Sequence, residues 1–155
     1  MHGREMKEDA TRDIPTMIEQ FYTPTPYSRF VNDGEVLIAG VGGLGCIWAT
    51  EAHSRCSELS ELLLIDADES SFEGANEANC LYLDAGGEGR GAAALPSMAT
   101  HRLRDGIDSI SSLLEEAEVL ILLTGVGGGM GSGASGELAR IAIHSGCMVL
   151  SIAGR

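Results

Sequence analysis

The chain has 155 residues and a mass of 16.2 kDa, enough for one domain and too short for two ordinary ones. Hydrophobic residues make up 44% and charged residues 21%, which supplies a core and excludes disorder of the whole chain. With Lys+Arg at 10 and Asp+Glu at 23 the net charge is −13, which speaks against nucleic acid or an anionic membrane surface as partner, since both are bound by cations.

Residues 1–33 are predicted to be an N-terminal extension and linker, and residues 34–155 one domain. Within the extension, Ile14–Tyr22 suits a short helix with Asp13 as N-cap and Pro15 at its first position, stopped by Thr23-Pro24-Thr25-Pro26. The regular pattern starts at Glu35. Val36-Leu37-Ile38-Ala39 is a strand buried on both faces, followed by a glycine turn and a helix to about Cys56. Leu62–Ile65 is a second strand ending at Asp66, and Asn79–Leu83 a third, weaker one. Asp84–Pro96 is a Gly- and Ala-rich loop. Ser97–Ala117 reads as one helix, with Leu103, Ile107, Ile110, Leu114 and Ala117 on one face. Val119–Leu123 is the fourth and most apolar strand. A second glycine turn leads to a helix over about Ala134–Ser145 that faces inward through Leu138, Ile141 and Ala142, and Cys147–Ile152 is a fifth strand. On the first helix, Ile47 and Trp48 are expected in the core. Strands alternating with helices imply a doubly wound, Rossmann-like parallel α/β sheet, which binds ligands beyond the carboxyl ends of its strands.

The four cysteines, Cys46, Cys56, Cys80 and Cys147, form no CxxC pair and read as reduced, mostly buried thiols of a cytoplasmic protein. No run of 18 apolar residues suggests a transmembrane segment. His2, His53, His101 and His144 are scattered, and Glu115, Glu116 and Glu118 suit a solvated face.

The 21 glycines cluster at 40–45, 86–91 and 125–136. Gly40-Val41-Gly42-Gly43-Leu44-Gly45 follows a strand and opens a helix, where main-chain N–H groups and the helix dipole attract phosphate. Gly125 to Gly133 repeats the arrangement with six glycines in nine residues. Each ordered glycine costs roughly 0.5–1 kcal/mol relative to Ala, so close approach to an anion is the expected reason, with Ser132 adding a hydroxyl. Lys7 is the only lysine, so a GxxxxGK[ST] P-loop is excluded. Phosphates would be held by amides and helix dipoles, with a metal ion offsetting the remaining charge.

Gly127-Gly128-Gly129-Met130-Gly131-Ser132-Gly133 resembles the GGGTGTG or GGGTGSG signature of the tubulin/FtsZ family, with Met130 in place of the first Thr. GVGGLG is similar to that family's GVGGGG, Ile65-Asp66-Ala67-Asp68 stands where it has an N-T-D run, and Gly89-Arg90-Gly91-Ala92 followed by Pro96 resembles GLGAGxNP. The resemblance implies binding of GTP or GDP with Mg2+. It places Gly42, Gly43, Leu44, Gly45 and Cys46 at one phosphate loop, Gly91 and Ala92 near the γ-phosphate, Gly127, Gly128, Gly129, Met130, Gly131, Ser132 and Gly133 around the phosphates, and Asp68 near nucleotide and metal. Met130 is expected to weaken phosphate contacts, because a hydroxyl donor is lost. The family implies a cytoskeletal or cell-division role and assembly-dependent GTP hydrolysis. Its guanine-binding helix and the second domain with the activating acidic loop would follow the fifth strand, so the nucleotide-binding part is expected to be truncated and no residue here is assigned to catalysis. The fifth strand is expected to leave an open sheet edge for self-association or an FtsZ-like partner.

Two alternatives stand beside this. The segment "VLIAGVGGLGC…LLLIDADESSFEGAN" also resembles the start of ThiF/MoeB-type adenylating enzymes, with Asp66 on the ribose and Asp68 close to ATP, but the Arg–Gln pair expected after the Asn is missing. A non-hydrolysing interaction module that kept the fold is the other.

Overall fold

The computed structural model describes residues 36–76, 78–83 and 95–155; the 1–33 extension and the Gly89–Ala92 loop lie outside the described residues. Five parallel strands form one sheet: β1 (Val36–Val41), β2 (Glu61–Asp66), β3 (Asn79–Tyr82), β4 (Val119–Gly125) and β5 (Met148–Gly154), in the order β3-β2-β1-β4-β5. The helices are α1 (Gly42–Ser54), α2 (Pro96–Gly106), α3 (Ser111–Glu116) and α4 (Gly129–His144). This is the doubly wound sheet expected from the apolar runs.

Strand side chains alternate between faces, and helices cover both. Leu37, Ala39 and Val41 of β1, Leu63 and Ile65 of β2 and Leu120 and Leu122 of β4 pack under α2, α3 and α4 with Leu103, Leu114, Leu138 and Ala142. Ile38, Leu62, Leu64 and Leu123 point the other way and pack under α1 through Cys46 and Ala49. Burial on both faces is why these strands read as continuous hydrophobic runs. Burying a side chain such as Leu63 or Leu120, both 0% exposed, contributes about 1.5–3 kcal/mol each.

The predicted helix over Ser97–Ala117 is broken. It ends at Gly106, a 3-10 turn covers Ile107–Ser109, and α3 follows. A side chain at Gly106 would lie 3.2 Å from Leu81 Cδ1, so the chain there is pressed against β3 and its flank. Leu103, Ile110, Leu114 and Ala117 are nevertheless buried as expected. Ile47 is not in the core: it is 66% exposed, because α1 buries Gly42, Gly45, Cys46 and Ala49, and position 47 falls off that stripe. Trp48 is half-buried, its ring lying where a Cβ on Gly154 would be, 2.9 Å from Cζ3. Of the thiols, Cys46 and Cys147 are buried, Cys56 is intermediate and Cys80 is exposed. On β5, Met148, Leu150 and Ile152 stand on the sheet face that α1 covers further in, and are exposed by 61%, 54% and 48%.

Candidate nucleotide-binding site

The strand order reverses between β1 and β4. From β1 the chain steps outward to β2 and β3, then returns to the other side of β1 as β4 and continues to β5. Both glycine turns leave from this pair, whose ends lie side by side, Val41 opposite Thr124. A crevice beyond the carboxyl ends at such a reversal is where α/β sheets bind ligands.

The two turns touch. A Cβ placed on Gly42, whose φ is +75°, would lie 3.3 Å from the Gly131 nitrogen, and one on Gly125 would lie 3.0 Å from Leu44 Cβ. The second turn is shorter than expected. α4 begins at Gly129, not near Ala134, so Gly129, Met130, Gly131, Ser132 and Gly133 form its opening turns. The connection itself is Val126–Gly128, held by Val126 N–H donating to the Gly154 carbonyl at 2.8 Å and Gly127 N–H donating to Ser132 Oγ at 3.3 Å.

The glycines serve two ends. At Gly131 a Cβ would meet Thr124 Oγ1 at 2.9 Å, at Gly133 it would meet the Pro96 carbonyl carbon at 2.7 Å, and at Gly45 the Leu123 carbonyl carbon at 3.2 Å. The protein itself fills those spaces, so these glycines let helices seat closely on β4 and α2. At Gly127 (φ +110°) and Gly128 no described residue lies within 4 Å of such a Cβ, and at Gly43 Ser71 Oγ (3.6 Å) and an Asp66 oxygen (3.8 Å) are the described atoms that do. Helix packing therefore accounts for part of the glycine content.

Both helices open without a side-chain cap. Val41 precedes α1 and Gly128 precedes α4, neither offers a side-chain acceptor, and neither first turn carries an acidic residue. A helix start leaves up to four N–H groups without intrahelical partners and carries about half a positive charge. Two such ends, 13 and 16 residues of helix behind them, converge at the crevice. Their donors suit an anion such as a phosphate chain. Ser132 supplies a hydroxyl that already accepts from Gly127 N–H, and it is exposed.

Other predicted site residues fall differently. Cys46 is 1% exposed and its thiol points to the carbonyls of Gly40 and Ile65, at 3.6 and 3.8 Å. Burial, reinforced by the Asp66 charge, pushes that thiol up to about 12, so only its main chain has anything to offer a ligand. Met130 is 6% exposed and belongs to the core between sheet and helices. Its side chain is a packing group, which is why a thioether is accommodated here. Asp68 is exposed and accepts from Ser70 N–H at 3.0 Å, capping the 3-10 turn Glu69–Phe72; the Ser70 hydrogen bonds hold its carboxyl below the ordinary carboxylate value. Gly91 and Ala92 lie outside the described residues.

Two residues, Thr124 and Glu137, escaped the sequence reading, and Asp66 entered it as part of the N-T-D-like run and as the ribose ligand of the adenylating-enzyme alternative. Thr124 is 2% exposed at the end of β4, with Oγ1 3.3 Å from the Val41 carbonyl and 3.1 Å from the Gly131 carbonyl. Asp66 is 6% exposed, accepts from Ala67 N–H and the Ser71 hydroxyl, and sits beneath Gly43. Glu137 is 6% exposed and receives Arg104 of α2 (2.7 Å) and Arg140 (2.7 Å), which hold its carboxyl down to about 2. An acidic residue on an inward helix position with Arg three residues later was the available signal for Glu137; nothing local marked Thr124. A cleft of about 330 Å3 between the later part of α1 and residues 74–78 is lined by no residue of either turn. Among the described residues no three His, Cys, Asp or Glu side chains group to hold a metal, and no helix is long and apolar enough to cross a membrane.

This sheet, with its helices and paired turns, is the tubulin/FtsZ-type nucleotide-binding fold. The empty FtsZ dimer of M. jannaschii superposes with a TM-score of 0.70 over 91% of this chain and 39% of that one, at 16% identity. CetZ2 of Haloferax volcanii, solved as a GTPγS-bound protofilament, gives 0.61 over 77% of this chain and 39% of that one, also at 16% identity. In sequence, the cell division protein FtsZ of Mycoplasmopsis pulmonis is 28% identical over 124 residues, 80% of this chain and 32% of that protein. No protein-family model matches the chain. The chain is thus tubulin/FtsZ-like in sequence and in fold, and spans about a third (32%) of the curated relatives it matches. The ThiF/MoeB alternative is not favoured.

Proposed function

We propose that residues 34–155 bind GTP and GDP as the nucleotide-binding part of a cytoplasmic, cytoskeletal or cell-division protein of FtsZ type, with residues 1–33 as an extension. The observation that carries this is the convergence of two uncapped helix N-termini at the strand-order reversal. The start of α1, at Gly42, Gly43, Leu44, Gly45 and Cys46, forms one half of the phosphate cradle, and the amides of Gly128, Gly129, Met130 and Gly131 the other, with Gly127, Ser132 and Gly133 shaping that turn. Gly91 and Ala92 close it near the γ-phosphate, and Asp68 faces the Mg2+ that travels with the nucleotide. That metal would neutralise phosphate charge that a lysine-free cradle leaves over. The activity proposed is binding; no described residue is assigned to hydrolysis. β5 ends the sheet among the described residues, and its exposed Met148, Leu150 and Ile152 support self-association or pairing with an FtsZ-like partner at this end of the sheet.

Equilibrium titration with GTP, GDP and ATP tests the assignment. Saturable binding of GTP and GDP in preference to ATP is the expected result. No binding of any nucleotide at millimolar concentration overturns it, and equal binding of ATP removes the guanine assignment.

A further inference from the structure

We propose that Thr124 is a positioning residue that locks the two glycine turns into one cradle, an inference that rests on the phosphate-binding reading of those turns. Its buried hydroxyl lies between two carbonyls that belong to different halves of the site. Val41 is the residue from which α1 springs, and Gly131 lies in the first turn of α4. The hydroxyl has one proton, shared between acceptors at 3.3 and 3.1 Å, and so ties both helix starts to the end of β4. The space is tight: a Cβ on Gly131 would come within 2.9 Å of this oxygen. The Gly131 carbonyl has a second side-chain donor in Ser135, whereas among the described residues Thr124 is the side chain that hydrogen-bonds to both turns. Valine at this position would keep the volume and leave the seam unbonded. The two sets of N–H groups would then share no fixed spacing, and a phosphate chain that needs both would lose affinity although neither set is altered.

The test measures affinity of the full chain for GTP and for inorganic tripolyphosphate, beside the thermal unfolding midpoint, in wild type, Thr124→Val and Thr124→Ser. Thr124→Val is expected to weaken both ligands by about tenfold, the equilibrium weight of one net hydrogen bond, and Thr124→Ser to recover most of the loss. A merely structural hydroxyl would lower the unfolding midpoint and leave affinity well below that temperature unchanged; that result overturns the proposal. If Thr124→Val does not fold, Thr124→Ala, which adds no bulk, takes its place with the same expectation. Wild type that binds neither ligand overturns the phosphate reading itself, whereas wild type that binds and Thr124→Val that binds equally well overturns the positioning role alone.

Discussion

Gly133 and Gly136 lie one turn apart on α4 and have opposite surroundings, so the same substitution should act with opposite sign. Both are helical, and Ala is the better helix former by about 0.8–1.0 kcal/mol. At Gly136 no described residue lies within 4 Å of the new methyl, and Gly136→Ala should gain most of that propensity, roughly 0.5–1 kcal/mol. At Gly133 the new methyl would stand 2.7 Å from the Pro96 carbonyl carbon and 2.8 Å from its Cα, with the carbonyl oxygen closer still. Ordinary contact needs α2 to retreat by roughly 1 Å, at an overpacking cost of about 1–3 kcal/mol. The retreat would also stretch the Thr100 hydroxyl donation to the Gly133 carbonyl, now 3.0 Å. Net of propensity, Gly133→Ala should destabilise by roughly 1–2 kcal/mol. With about 2–4 °C per kcal/mol for a domain of this size, thermal unfolding should place the two variants on opposite sides of wild type. Gly133→Ala at or above the wild-type midpoint would refute the view that this glycine exists for helix packing.

Other expectations follow from the same geometry. Glu137 has a folded-state pKa near 2 against an ordinary 4.5, so the stability it contributes is complete above pH 4.5 and is lost as pH falls from there towards 2. Glu137→Gln should unfold with a weaker pH dependence in that window and be less stable by about 1–3 kcal/mol at neutral pH, read by urea unfolding; an unchanged acid slope contradicts it. In the native protein a thiol reagent at neutral pH should label exposed Cys80 and spare Cys46, whose thiol sits near 12, until the chain unfolds; labelling of both at one rate contradicts the packing around α1. If β5 is an association edge, wild type should show concentration-dependent sedimentation that Leu150→Asp with Ile152→Asp abolishes. A variant that sediments like wild type removes that edge from consideration.

The strands were legible because they are buried on both faces and read as unbroken apolar runs, Val36–Ala39, Leu62–Ile65 and Val119–Leu123 above all. The turns were legible as turns, and their adjacency follows from strand order. The errors share a cause in tertiary packing. Glycine is a poor helix former, so α4 reads as starting after Gly133, yet packing against β4 and α2 pays for helix from Gly129 onward. Glycine suits close approach of an anion and of a neighbouring backbone alike, and only the folded packing separates Gly131 and Gly133 from Gly127 and Gly128. The break at Gly106 and the exposure of Ile47 depend on which strand each helix meets. Thr124 carries no motif; its importance arises from Val41 and Gly131, 83 and seven residues away, meeting at one hydroxyl.

In the proposed function, main-chain amides of both turns hold one phosphate chain. Backbone amide chemical shifts of the 15N-labelled chain, recorded with and without saturating GTPγS and Mg2+, test it most directly. Large shifts at Gly43, Gly45, Gly128 and Gly131 together are expected. No shift at either turn, or shifts at one turn only, would contradict it.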